Sequence, residues 1–183
     1  MNTLFIWIPK TGGTSMAVDK NLQVITDNYH TFTNNGDVTF GHADIREILR
    51  KGYMSKEYWD DCYRFTIVRN PYTRFISLWR DYVRSKRTVA SPEEFAHILM
   101  HIGTRKIGMY NALDYSQCAS QVEWIVPNID ILYLEEIAKT ELPKLNDGKV
   151  EDWRVFYTAN LYAMVNELYY DDFTILGYDI HKW

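Results

Sequence analysis

Short, dense apolar runs alternate along this chain with longer stretches in which apolar residues recur every three to four positions. Thr3 to Ile8 (TLFIWI) carries no charge and is stopped by Pro9, the pattern of a strand buried on both faces. Gly12 and Gly13 make a turn, and Thr14 to Leu22 fits a helix. Asp27 to Asp37 is polar and contains Asn-Gly, so it reads as loop. Val38 to Gly41 fits a short strand and Asp44 to Lys51 a short helix. Arg64 to Val68 (RFTIV) is a second strong strand. Asn70 then caps a helix with Pro71 at its first position. In that helix Phe75, Leu78, Trp79, Tyr82 and Val83 form one buried face, and Arg74 and Ser77 fall on the other side. Ser91, followed by Pro92, Glu93 and Glu94, opens a helix through His101. Ile129 to Leu134 (IDILYL) is a third strong strand, and two helices follow, over Glu135 to Leu145 and Val155 to Tyr170. Strands alternating with helices predict an α/β fold around a central, mostly parallel sheet. No linker or repeat interrupts the 183 residues, so a single domain over 1–183 is expected.

Charge narrows the partners. The net charge of −4 argues against a nucleic-acid binder, but leaves room for a local positive pocket that holds a small anion. No apolar stretch is long enough to span a membrane and no signal peptide is visible, so a soluble, cytoplasmic protein is expected. The 14 Tyr and 6 Trp predict an aromatic-rich core. Cys62 and Cys118 are expected to be buried free thiols. His97 and His101 are spaced to share a helix face, but no Glu follows His97 as in a metalloprotease, and no acidic cluster suggests a magnesium site. No metal is expected.

The turn after the first strand carries the chemistry. In Pro9-Lys10-Thr11-Gly12-Gly13-Thr14-Ser15, a strand feeds a glycine turn and then a helix. The first helical amides and the helix dipole attract an anion there, two hydroxyls add donors, and Lys10 adds a full charge. The common nucleotide loop places lysine after its last glycine; here Lys10 precedes both, which counts against an ATPase or GTPase. Arg69 stands at the end of the second strong strand, as Lys10 follows the first, and ligands of α/β sheets bind outside the carboxyl ends of strands. Together with the Ser77 hydroxyl, these two cations can hold two separate phosphates.

The paired motifs resemble the sulfotransferases that use 3′-phosphoadenosine 5′-phosphosulfate (PAPS). Pro9 to Ser15 is similar to that family's 5′-phosphosulfate loop. Arg69-Asn70-Pro71-Tyr72-Thr73-Arg74-Phe75-Ile76-Ser77 is similar to its 3′-phosphate motif, and the nearest group is the carbohydrate sulfotransferases of heparan sulfate 2-O type. "VEWIVPNIDILYLEEI" resembles that group's strand ending in a glutamate, here Glu135 or Glu136, and "LYYDDFTILGY" its C-terminal segment. The resemblance implies a P-loop-like fold and sulfuryl transfer from PAPS to an acceptor hydroxyl, on a glycan or a small molecule, leaving adenosine 3′,5′-bisphosphate. It implies that Lys10 meets charge on the leaving oxygen, that the backbone of Thr11, Gly12, Gly13, Thr14 and Ser15 holds the 5′-phosphate, and that Arg69 and Ser77 grip the 3′-phosphate. It also points to His42 as general base, with Asp44 as the substitute. The group's His-Gly-His pattern has Phe40 in its first position here. The basic run Arg80, Arg84, Lys86 and Arg87 reads as a solvated helix end, and Arg74 as either a cofactor contact or an internal salt bridge. Two other readings stay open: a P-loop-type small-molecule kinase, and a module that binds the nucleotide without turnover.

Overall fold

The computed structural model describes residues 1–86, 88–106, 117–137 and 152–182. Five parallel strands form one sheet: β1 (Thr3–Ile6), β2 (Gln23–Val24), β3 (Val38–Thr39), β4 (Tyr63–Val68) and β5 (Asp130–Tyr133), in the order β2-β3-β1-β4-β5. Leu4 sits opposite both Val38 of β3 and Arg64 of β4, so β1 is the central strand. Helices α1 (Gly13–Asp19), α2 (Ile45–Arg50), α3 (Lys56–Asp61), α4 (Pro71–Lys86), α5 (Pro92–Ile102), α6 (Leu134–Ile137), α7 (Ala159–Leu168) and α8 (Tyr170–Leu176) pack around it. This is the α/β arrangement around a parallel sheet that the alternation predicts, and it agrees with the P-loop-like fold that the resemblance implies.

Side chains on β1 alternate between the two faces, as a strand requires. Leu4, Ile6 and Ile8 join Val38, Ile45, Ile48 and Tyr58 on one side, and Phe5 joins Met16, Phe65 and Ile67 on the other. A third cluster, with Tyr72, Phe75, Phe95, Tyr162, Tyr169 and Phe173, joins α4, α5, α7 and α8, so the core is aromatic-rich. Cys62 and Cys118 are both buried thiols, and neither is part of a disulfide.

The capping signals fix helix starts where expected. Ser91 and Glu94 form a reciprocal capping box on α5, and the Asn70 carboxamide accepts from the amide of Tyr72 at 3.0 Å. One expectation needs correction, and another is met only as far as the described residues reach. The helix predicted over Val155 to Tyr170 starts only at Ala159, because the Thr158 side chain caps it by accepting from the Leu161 amide; Trp153–Phe156 is a separate 3₁₀ turn. Of the helix predicted over Glu135 to Leu145, the part to Ile137 is present and the rest lies outside the described residues. No described helix is long and apolar enough to cross a membrane.

Because the sheet is all parallel, every strand delivers its following loop to the same rim. Chain order reverses around β1, with β3 on one side and β4 on the other, and that reversal marks the crevice where α/β sheets bind ligands. Lys10 follows β1, His42 follows β3, and Arg69 follows β4.

Candidate active site

In the β1 loop, Lys10 (φ 67°) and Gly12 (φ 88°) both adopt the left-handed region, which turns the chain sharply into α1. The Thr11 hydroxyl is fully buried and donates to the Ile8 carbonyl at 2.8 Å, so of its polar groups only the backbone is left to meet a ligand. The glycines have a packing reason as well. A Cβ on Gly13 would lie 2.0 Å from Nε1 of Trp7, and one on Gly12 would lie 2.7 Å from Cδ1 of Leu134. The glycines therefore let Trp7 and Leu134 close against the loop, in addition to freeing its backbone. Thr14 is exposed and Ser15 half-buried.

At the end of β4, Arg69 is held from three directions. Its amide donates to Oε1 of Gln121 at 2.8 Å, and its carbonyl accepts from Nε2 of the same side chain at 2.8 Å. Its guanidinium donates through Nε to the Thr73 hydroxyl at 2.8 Å and through Nη1 to the Lys10 carbonyl at 3.3 Å. That last bond joins the two loops directly. Among the described residues, no carboxylate lies within ion-pair distance of this guanidinium. Burial pulls its pKa below the ordinary arginine value, with Glu135 opposing the shift. Glu135 itself accepts from the Asn70 amide at 2.7 Å and from the Tyr178 hydroxyl at 3.1 Å, which ties β5 to the same rim.

One face of α4 runs along the β1 loop. Arg74, Ser77 and Asp81, at i, i+3 and i+7, share it. Of the two readings open for Arg74, cofactor contact or internal salt bridge, its surroundings fit the internal one: it is 1% exposed. It donates to the Pro9 carbonyl and to the Gln117 carbonyl, each at 3.1 Å, and lies 3.9 Å from Asp172. Arg74 is thus an internal brace of the loop, since a buried charge persists only with such partners. Ser77 is half-buried between Arg74 and Asp81 on that face. Asp81 is buried and places Oδ2 3.4 Å from the Lys10 ammonium, while Oδ1 pairs with Arg84. Burial lowers the Lys10 pKa, and the Asp81 carboxylate opposes that. Arg84 and Arg80 are exposed, Arg80 lies over the Phe156 ring, and Arg87 lies outside the described residues.

His42 completes the rim. Its Nδ1 is 3.1 Å from the Trp7 carbonyl, and its ring meets the Trp7 indole edge-on at 5.0 Å. A carbonyl only accepts, so a neutral His42 carries its proton on Nδ1 and keeps its basic lone pair on Nε2. Burial holds its pKa below 6.5, which favours that neutral form. Asp44 serves the fold, capping α2 by accepting from the Arg46 amide at 2.9 Å. His97 and His101 are both exposed on α5, and no cluster of His, Cys, Asp or Glu suited to a metal occurs among the described residues.

Lys10, Ser77, Arg69 and His42 therefore converge on one rim. Sequence reasoning did not single out Trp7, Asp81, Gln121 or Asp172. Only Asp81 had a legible signal, its i+7 spacing from Arg74.

Searches of curated proteins and of solved structures give no match to this chain. The profile of the sulfotransferase family matches residues 2–139, well over half of the chain and both of the loops that carry Lys10 and Arg69. A half-buried guanidinium with no carboxylate within ion-pair distance among the described residues, a lysine one hydrogen bond away, and a hydroxyl-rich turn suit a donor with two separate phosphates. The chain belongs to the sulfotransferase family and is a PAPS-dependent sulfotransferase.

Proposed function

We propose that this enzyme transfers the sulfuryl group to a hydroxyl of a carbohydrate, that the rim around β1 is its donor site, and that residues 1–183 act as one domain. The observation that carries the donor site is the bond from Arg69 to the Lys10 carbonyl, which fixes two cationic residues beside each other. Arg69 and Ser77 would hold the 3′-phosphate, the feature that separates this donor from ATP. The backbone of Thr11 to Ser15, with the Thr14 and Ser15 hydroxyls, would hold the 5′-phosphate. PAPS brings an activated sulfur–oxygen bond; the chain supplies charge and proton acceptance. Lys10 faces the leaving phosphate oxygen as charge develops there, a contribution of about 10²- to 10³-fold for one such preorganised donor. His42 takes the acceptor proton on Nε2. It is favoured over Asp44 because the Asp44 carboxylate is engaged as a helix cap.

The carbohydrate acceptor rests on the resemblance of the paired motifs and of His42 to the 2-O group. It is tested by incubating the protein with sulfur-35-labelled PAPS and separate panels of oligosaccharides, phenols and peptides. Label in oligosaccharide is the expected result. Label confined to phenols or peptides overturns the acceptor and leaves the donor site standing. The kinase reading is disfavoured by the family match and by the place of Lys10 before the glycines.

A further inference from the structure

Sheet pairing of β4 ends at Val68, opposite Tyr133 of β5. The next residue, Arg69, would have to leave its amide and carbonyl to water or to a side chain. It finds both partners in a single group, the Gln121 carboxamide, which acts as a one-residue extension of the sheet. Gln121 is fully buried, and its orientation is itself determined. Its Nε2 also donates to Oδ2 of Asp172 at 3.2 Å, and a carboxylate accepts only. The amide nitrogen must therefore face Asp172 and the Arg69 carbonyl, which leaves Oε1 for the Arg69 amide. Asp172, also fully buried, is anchored in turn by the Ser120 hydroxyl, by the Val122 amide at 3.1 Å, and by Arg74 at 3.9 Å. Through Arg74 the same network reaches the Pro9 carbonyl, next to Lys10. Asp172 lies on α8, beyond the residues that match the family profile.

We propose that Gln121, oriented by Asp172, is a positioning residue: it sets the backbone of Arg69, and with it the discrimination for a 3′-phosphate. Part of the donor site's selectivity is thus built by the C-terminal helix, which touches no phosphate itself. This rests on Arg69 being the 3′-phosphate contact.

The test compares binding of adenosine 3′,5′-bisphosphate and adenosine 5′-monophosphate by calorimetry for the unmodified protein, Gln121→Met, Asp172→Asn and Arg69→Ala, with a thermal melt of each. Gln121→Met keeps the side-chain length and removes both bonds to Arg69 and the bond to Asp172. It is expected to lower the bisphosphate-to-monophosphate affinity ratio by about tenfold while monophosphate binding changes by less than about threefold. A merely structural role would weaken both ligands alike and leave the ratio intact. Asp172→Asn is expected to lower the ratio in the same direction, and it decides the matter if Gln121→Met is unfolded at the assay temperature. If Arg69→Ala lowers the ratio and neither other variant does, the role of Gln121 is overturned and the 3′-phosphate site stands. If Arg69→Ala leaves the ratio unchanged, both fall.

Discussion

Replacing Lys10 with alanine separates what this lysine does for the fold from what it does for the reaction. In the fold it lies 3.4 Å from the buried carboxylate of Asp81, with its own side chain 23% exposed. Removing one partner of a fully buried pair costs about 3–5 kcal/mol, and an exposed pair contributes about 0–1 kcal/mol. Lys10 lies between those limits, and Arg84 still pairs with the other Asp81 oxygen, so Lys10→Ala should destabilise by about 1–2 kcal/mol. The chemical loss should be larger: about 2.7–4 kcal/mol in the barrier, or 10²- to 10³-fold in rate, for one lost transition-state donor. Urea denaturation reads the first quantity, and single-turnover transfer at saturating PAPS reads the second. The double variant Lys10→Ala/Asp81→Asn removes the stranded carboxylate charge and should regain stability without regaining rate. A rate within about threefold of the unmodified enzyme would remove Lys10 from the chemistry, being far below the loss of one such donor. Recovery of rate in the double variant would show that the damage came from Asp81 instead.

Two more expectations concern the other side chains of the rim. The His42 pKa is depressed from 6.5, so neutral His42 contributes stability that is complete above pH 6.5 and is lost as pH falls through the lower folded-state value. The acid limb of the pH–rate profile should therefore have its midpoint below 6.5, and the alkaline limb should begin below 10.5, where the half-buried Lys10 loses its proton. His42→Gln should abolish the acid limb together with most of the rate; an acid limb that survives in that variant would assign it to another group. Gly13→Ala drives a methyl into the Trp7 indole and should destabilise by about 1–3 kcal/mol, read by denaturant titration. Displacing Trp7 also moves the carbonyl that orients His42, so turnover should fall further than donor affinity; an unchanged ratio of the two would show that Trp7 does not couple to His42.

The strands and their order of appearance were legible because a buried parallel strand is a dense apolar run, and β1, β4 and β5 each have one. β2 was not, because it is only two residues long, Gln23 and Val24, and both are exposed, so no dense buried run marks it. The break between α7 and α8 falls at Tyr169 with no glycine or proline to mark it, within a continuous apolar pattern. Lys10 and Arg69 were legible through charge and place after a strand, which is local information, and His42 through its place after a short strand and its resemblance to the 2-O group's histidine. Gln121 and Asp172 were not, since their roles come from contacts 52 and 51 residues apart in the chain. Arg74 showed the limit of periodicity: its spacing placed it opposite the apolar face but could not choose between cofactor contact and internal salt bridge, and only the packing of that face on the β1 loop shows the charge buried with internal partners.

If Lys10 and Arg69 hold the two phosphates of one nucleotide, the donor's 3′-phosphate must be worth a large share of its affinity. Calorimetric titration of the unmodified protein with adenosine 3′,5′-bisphosphate, adenosine 5′-monophosphate and ATP reads that share without knowledge of the acceptor. The bisphosphate should bind about 10²-fold more tightly than the monophosphate, the share expected of a charge-assisted contact to a second phosphate. ATP should gain no comparable advantage. Equal affinity for bisphosphate and monophosphate, or tighter binding of ATP, would show that the two cations do not share one nucleotide.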